Sequence, residues 1–242
     1  MNFAPRREII HGLVAAKRFP GPNYYEVLSW LQHELQPKTY VEIGVRRGTS
    51  LKLAGPPTVA LGIDPFPEVE NCWATRTHVV PMTSAEFFAR HTLEEFVGIN
   101  RVSLGFIDGS HRFEDVVDDI LNLERFAAPD TLIAVHDTMP LDAETASRER
   151  KTVFHTGDVW KVIPFLRQYR PDLELTTVRT GPSGLTLIRQ LNPDWTRGTA
   201  ECDALDRFRD LSWEYYRQHR DDFLNTIPNE RQAVANWLSH LT

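Results

Sequence analysis

Acidic and imidazole side chains follow two apolar runs of this sequence. Asp108 and His111 come at the end of one run, and His136 and Asp137 end another. If the two runs are neighbouring parallel strands, their carboxyl ends border a single crevice, so the four side chains should converge. Two carboxylates and an imidazole can bind a divalent cation: oxygen ligands favour Mg2+ or Mn2+, and a histidine also admits iron, cobalt or zinc. The remaining histidine could then serve as a general base.

A glycine-containing turn follows an earlier run, in the pattern Glu42-x-Gly44-x-x-x-Gly48-Thr49-Ser50. Gly44 lets the backbone turn sharply, and Gly48 would let a ligand approach the chain closely. The spacing differs from G-x-G-x-x-G, and Glu42 puts a carboxylate where a pyrophosphate would require amide donors. An acid at this point suits a ligand with a cationic amino group and a sulfonium. The other interpretation is a plain tight turn.

Two further polar residues end the second and third apolar runs. Asp64 follows the second run, where an acid commonly accepts hydrogen bonds from ribose hydroxyls. Its alternative role is that of a turn or helix-capping aspartate. Ser84 follows the third run and could border an adenine, although capping of a helix explains it equally well.

The elements that must position these residues are predicted from the spacing of apolar side chains. Five short runs rich in Val, Ile and Leu are typical of strands buried on both faces of a parallel sheet. They cover residues 39–45, 58–64, 77–82, 102–108 and 131–137. Amphipathic stretches before and between them predict helices, and the alternation indicates right-handed βαβ units. These stretches are 24–35, 84–96, 112–126 and 158–169.

Two later runs differ, because residues 173–178 and 185–188 are separated only by turn-forming residues. The gap is too short for a crossover helix, so we expect an antiparallel hairpin. The predicted fold class is therefore α/β: a doubly wound, Rossmann-like sheet of seven strands, five parallel and two in the hairpin. Residues 200–220 and 230–241 predict a C-terminal helical appendage.

Domain boundaries follow from this pattern. We assign residues 1–23 to an N-terminal segment or lid, 24–192 to the central domain and 193–242 to the helical extension. The first crossover, 49–58, is short and is cut off by Pro56-Pro57. Residues 141–157 are polar and aperiodic, and they predict a mobile loop.

Bulk properties narrow the class of protein. The 242 residues have a net charge of −6, which argues against a general nucleic-acid or anionic-membrane binder. The two cysteines lack CxxC spacing, and no apolar run is long enough to span a membrane. We therefore expect a cytoplasmic protein with a small-molecule partner. Exposed apolar surface on the C-terminal helices would favour a homodimer.

The glycine motif, Asp64 and the Asp108-Gly109-Ser110-His111 motif with the later His136-Asp137 resemble class I S-adenosylmethionine-dependent methyltransferases. Over residues 24–190 the chain more narrowly resembles macrolide-sugar and rhamnosyl O-methyltransferases and cephalosporin hydroxylase-like proteins, a group of the family 24 type. The resemblance implies O-methylation of a hydroxyl on a sugar, glycoside or natural-product acceptor. The alternatives are an inactive methyltransferase-fold binding module and an NAD-dependent oxidoreductase.

The resemblance also assigns roles to residues. Cofactor-binding positions would be Glu42, Gly44, Gly48, Thr49, Ser50, Asp64, Ser84 and Asp108. A magnesium or manganese ion would be held by Asp108, His136 and Asp137. Catalysis would fall to Asp108 and to His111 as general base, with metal-assisted deprotonation of the acceptor.

Overall fold

One central sheet organises the computed structural model, which describes residues 4–70 and 72–239. Its eight strands follow the order β3-β2-β1-β4-β5-β7-β6-β8. The strands are β1 (Thr39–Ile43), β2 (Val59–Ile63), β3 (Thr77–Val80), β4 (Leu104–Ile107), β5 (Leu132–His136), β6 (Glu174–Val178), β7 (Leu185–Arg189) and β8 (Thr226–Ile227). Strands β1 to β5 are parallel to one another, so their carboxyl ends share one edge.

The predicted fold class is confirmed, with one correction to the strand count. The hairpin of β6 and β7 is antiparallel, and β7 is antiparallel to β5. The eighth strand was not predicted: β8 pairs in parallel with β6 through Thr177–Thr226 and Val178–Ile227. Two residues between helices are too few to show an alternating pattern, so this strand leaves no periodic signal in the sequence.

Helices cover both faces of the sheet, and each face has its own buried apolar cluster. They are α1 (Ala4–Arg18), α2 (Tyr24–Leu35), α3 (Ser84–Arg90), α4 (Glu94–Val97), α5 (Phe113–Glu124), α6 (Val162–Tyr169), α7 (Thr199–Arg209), α8 (Trp213–Leu224) and α9 (Arg231–Leu238). Burial on both faces explains why β1, β4 and β5 are continuous apolar runs with every residue buried.

Two predicted helices are each divided in the structure. The stretch 84–96 forms α3 and α4, and the stretch 200–220 forms α7 and α8, where Ser212 caps the second helix by accepting from the Tyr215 amide. The first crossover has only a 3-10 turn, Leu51–Leu53, in place of a helix. At α8 a capping side chain, Ser212, starts a new helix where the apolar period alone would continue. The predicted end of the last helix, residues 240 and 241, lies outside the described residues.

The terminal helices pack on the central domain of the same chain. Phe208 of α7 contacts the rings of Phe113 and Phe165, while Val234 of α9 belongs to the apolar cluster on the opposite face. Helix α1 occupies most of the predicted lid and contacts the 141–157 loop through His11 and Asp142. In the described part of the chain, no helix has the length and apolar character needed to cross a bilayer.

Candidate active site

A cavity of about 1130 Å³ opens at the carboxyl edge of the parallel strands. Residues that follow β1, β2, β3, β4 and β5 all line it, as expected for a doubly wound sheet. Of the residues predicted from sequence, the lining includes Gly44, Thr49, Ser50, Asp64, Ser84, Asp108, His111, His136 and Asp137. The loop from Arg148 to His155 closes the side near β5. A cavity of this size accommodates a nucleoside-sized ligand and a small second molecule.

The two carboxylates and His111 form a compact cluster at one end of the cavity. Nε2 of His111 lies 3.5 Å from Oδ1 of Asp108 and 3.3 Å from Oδ2 of Asp137. Ligand atoms of these three residues lie within 4.8 Å of one another. This donor set, two carboxylate oxygens and one imidazole nitrogen, fits a divalent cation.

His136, a predicted metal ligand, contacts other side chains of the protein through its ring. Its Nδ1 lies 3.2 Å from Asp108 Oδ1, its Nε2 lies 3.3 Å from Ser183 Oγ, and its ring stacks on Tyr24 at 4.0 Å. Both ring nitrogens are therefore engaged by the protein. The structure groups His111 with Asp108 and Asp137 as residues that could hold a cation, whereas the set of Asp108, His136 and Asp137 stays a prediction.

Ser183 is a site residue that the sequence analysis missed. It comes from the turn between β6 and β7, and its hydroxyl donates to Asp137 Oδ1 at 2.5 Å. The hairpin thus holds the carboxylate of the neighbouring strand in place. The Gly-Pro-Ser-Gly segment predicted only a turn, and pairing of the hairpin with β5 was the signal that could have located Ser183 beside Asp137.

The charged groups of the cluster shift one another's pKa values. Burial opposes protonation of His111, but the Asp137 and Asp108 carboxylates outweigh it and raise the pKa of His111 to about 9. Burial alone would raise the pKa of Asp108, but His136 and His111 hold it well below its ordinary value. The carboxylates therefore attract positive charge, which protons supply when no cation is bound. A cation at the same carboxylates would compete with the proton on His111.

The backbone at this cluster is held in an uncommon conformation. His111 has φ +59° and Asp137 has φ +63°, in the left-handed region that side chains other than glycine rarely adopt. Gly157 packs directly against His111, because a Cβ on Gly157 would lie 1.9 Å from the His111 carbonyl oxygen. The next residue, Asp158, donates its amide to that oxygen and accepts from the Phe113 amide at 2.8 Å. Residues 157 and 158 thereby fix the backbone of His111.

The loop at residues 141–157 is fastened by hydrogen bonds. Both the amide and the hydroxyl of Thr156 donate to the Thr145 carbonyl, at 3.0 and 2.8 Å. Arg148 donates to Glu114 of α5 at 2.7 Å and to Asp158 at 3.1 Å. The segment that we predicted to be a mobile loop is thus tied to itself and to the helix that follows His111.

The glycine turn brings the first strand against the fourth. Gly44 has φ +90°, and a Cβ there would lie 2.1 Å from the Asp108 carbonyl oxygen, so only glycine fits. Asp64 joins the second strand to the same turn, since its carboxylate accepts from the amides of Arg46 and Phe66, each at 2.7 Å. The cavity floor is therefore built from the ends of three adjacent strands.

Two predicted cofactor-binding residues lie behind the cavity wall. Glu42 is fully buried, and its carboxylate accepts from Tyr40 and from Ser50, each at 2.7 Å. Gly48 contacts Trp73, which lies 2.8 Å from where a Cβ would be. Neither residue lines the cavity. Glu42 reaches the cavity through Ser50, which hydrogen-bonds it and lines the cavity.

Burial raises the pKa of Glu42 to about 8 from 4.5, although the hydrogen bonds from Tyr40 and Ser50 oppose this shift. Between these two pH values the folded chain keeps a proton that the unfolded chain has released, so stability from this group falls as pH rises. Glutamine does not titrate, so Glu42→Gln should lack this pH-dependent contribution to the free energy of unfolding. Its free energy of unfolding should gain a few kcal/mol over the unchanged protein between about pH 5 and about pH 8, measured by chemical denaturation.

The control for this prediction is Glu8→Gln, which neutralises an exposed carboxylate on α1. Its stability difference from the unchanged protein should be the same at both pH values. A difference for Glu42→Gln that also stays constant across the window would show that Glu42 is ionised when folded.

Part of this chain matches a known protein family. Residues 41–138, from the first strand to the residue after Asp137, match the family described as a methyltransferase domain, family 24. These residues are similar to a methyltransferase domain. The matched span includes the glycine turn, Asp64 and the whole Asp108, His111 and Asp137 cluster. No curated protein matches the sequence.

One solved structure with a TM-score above 0.5 shows a similar fold. Cofactor-bound Rv0187 from MTB has 19% sequence identity, a TM-score of 0.54, and an alignment covering 76% of this chain and 89% of that one. An O-methyltransferase from Bacillus cereus in complex with SAH has 12% identity, covers 75% and 89%, and has a TM-score of 0.49. TomG from Streptomyces achromogenes, an O-methyltransferase in complex with SAM, has 16% identity, covers 69% and 78%, and has a TM-score of 0.48.

Proposed function

We propose that this protein transfers the methyl group of S-adenosylmethionine to a hydroxyl oxygen of a small acceptor, a sugar, glycoside or natural product. The observation that carries the proposal is the single cavity that joins the Gly44 turn and Asp64 to the cluster of Asp108, His111 and Asp137. A cofactor spread over the glycine turn and Asp64 would direct its methyl group toward that cluster. The methyltransferase domain match over residues 41–138 supports methyl transfer as the reaction.

The cofactor would be held mainly by the residues at the ends of β1, β2 and β3. Asp64 would bind the ribose hydroxyls, since its two oxygens keep acceptor capacity beyond the two amide bonds they receive. Gly44, Thr49 and Ser50 would border the methionine portion. Glu42 would support this portion indirectly by fixing the hydroxyl of Ser50.

The acceptor would enter between the cluster and the loop at residues 148–155. We propose that Asp108, His111 and Asp137 hold a Mg2+ or Mn2+ ion, which would lower the pKa of an acceptor hydroxyl by several units. The cavity would align that oxygen behind the sulfonium methyl group. This alignment would supply most of the rate enhancement. Tyr24 is not a candidate base, because burial and the nearby Asp108 raise the pKa of its phenol far above the ordinary value.

The proposal is tested by calorimetric titration with S-adenosylhomocysteine, with and without Mg2+, and with NADH as the control ligand. We expect micromolar binding of S-adenosylhomocysteine and no heat with NADH. An acceptor screen among sugars and phenols, read by formation of S-adenosylhomocysteine, then tests the transfer. Binding of NADH would favour an oxidoreductase, and absence of binding by either ligand would favour a methyltransferase-fold binding module.

A further inference from the structure

The first helix, α1, has an apolar side that nothing in the described part of the chain covers. Its exposed fractions are 62%, 56%, 67% and 42% for Ile9, Ile10, Leu13 and Val14. Elsewhere among the described residues, the large apolar side chains exposed to this degree are scattered singly: Phe66, Ile99 and Val153. Single exposed apolar residues are normal on a protein surface, whereas a contiguous patch marks a surface that another molecule covers.

The spacing of the exposed residues places them on one side of α1. Intervals of three and four residues align a stripe along the helix, made of Arg6, Ile9, Ile10, Leu13, Val14 and Lys17. On the opposite side, His11 and Ala15 are buried. This outer stripe therefore has an apolar centre and an exposed cation at each end.

The inner side of α1 is fastened to the segment that follows β5. Nε2 of His11 lies 3.1 Å from Oδ2 of Asp142, and Arg18 donates to the Pro140 carbonyl at 2.8 Å. The outer stripe cannot turn inward without breaking both contacts. Its apolar side chains are thus held facing away from the protein.

Charge indicates which kind of surface fits the outer stripe. Helix α1 has four basic residues and one acidic residue, although the whole chain has a net charge of −6. The acid, Glu8, is three residues before the buried His11 and so belongs to the other side of the helix. An apolar helix face flanked by Lys and Arg is typical of helices that lie in the surface of a membrane.

A second copy of this chain fits the outer stripe poorly. In an antiparallel pair of α1 helices, Arg6 of each copy would face Lys17 of the other, and in a parallel pair each cation would face itself. Like charges would meet in both arrangements, over an apolar centre only about two turns long. Negatively charged lipid headgroups would instead attract both cations at once.

We infer that the outer stripe of α1 binds the surface of an anionic lipid bilayer. The apolar side chains enter the boundary between headgroups and acyl chains, and Arg6 and Lys17 contact the headgroups. Each cation near such a surface strengthens binding roughly fivefold. Because the apolar area is small, binding is reversible and needs both the apolar contact and the charge. The inference does not depend on the proposed function.

Co-sedimentation of the full chain with lipid vesicles tests the inference. One set of vesicles is phosphatidylcholine alone, and the other contains equal parts of phosphatidylcholine and phosphatidylglycerol. We expect binding to the anionic vesicles only, with a steep decrease as salt screens the charges. Leu13→Gln should weaken this binding about fivefold or more by removing apolar contact. Lys17→Glu should weaken it about tenfold or more, because an attraction is replaced by a repulsion.

The matched controls are Ile99→Gln and Lys38→Glu, which make the same types of change at exposed positions outside α1. Both should bind like the unchanged protein, and circular dichroism should show that all four variants are folded. Failure of the unchanged protein to bind anionic vesicles overturns the inference, as does equal binding to both sets of vesicles. A dimer seen by sedimentation velocity and abolished by Leu13→Gln would assign the stripe to a second copy and overturn it as well.

Discussion

Gly157→Ala should abolish methyl transfer while the chain remains folded. The added methyl group would lie 1.9 Å from the His111 carbonyl oxygen, so the backbone of His111 or of the loop must move. A displacement of about 1 Å in a group that holds reacting atoms can cost a hundredfold in rate. We expect turnover to fall by about two orders of magnitude or more, measured with an acceptor from the sugar and phenol screen.

Gly98→Ala is the control for this change. Gly98 has φ +77°, similar to the φ +58° of Gly157, but a Cβ there would have no heavy atom within 4 Å. Both variants should lose about 1–2 kcal/mol from the unfavourable backbone conformation, and only Gly157→Ala should lose turnover. Equal activity of the two variants would show that the backbone contact with His111 has no role in transfer.

His111→Ala should also eliminate turnover, and it should spare the binding of S-adenosylhomocysteine. The imidazole lies between the two carboxylates that we propose as cation ligands, whereas the glycine turn and Asp64 line the part of the cavity where we propose that the cofactor binds. We expect a rate loss of at least about a hundredfold and a loss of Mn2+ affinity of roughly tenfold or more. Calorimetry with each ligand and an activity assay give the three values separately.

His219→Ala, on the exposed side of α8, provides the control for histidine removal. It should change none of the three values. Full Mn2+ affinity in His111→Ala, together with lost turnover, would restore the sequence-based role of His111 as a general base. A large loss of S-adenosylhomocysteine affinity would contradict both roles.

Much of the fold was predictable because its signals are local. The strands buried on both faces are continuous apolar runs, and the turn between β6 and β7 contains Gly181-Pro182-Ser183-Gly184. Strand β8 and the break between α7 and α8 were missed, since a two-residue strand has no period and one capping serine interrupts an otherwise helical pattern. Tertiary contacts decide such short elements.

The site was predicted less completely than the fold. The convergence of Asp108, His111 and Asp137 follows from strand order alone, and the structure confirms that they meet. The environments of Glu42 and His136 do not follow, because spacing alone does not show that Tyr40 hydrogen-bonds Glu42, and because His136 contacts Tyr24 and Ser183, which are remote in sequence. Sequence spacing locates the end of a strand, but it does not tell which neighbour has already satisfied a polar side chain.

The hydrogen bonds between Thr145 and Thr156 have a consequence for how this enzyme can diversify. They close residues 146–155 into an excursion whose two ends stay together whatever sequence lies between them. Such a loop can be exchanged, lengthened or recombined at little thermodynamic cost, because closure entropy grows slowly with length. Evolution could therefore replace the wall that we propose to face the acceptor and obtain new acceptor preferences, while the strands that we propose to hold the cofactor are inherited unchanged.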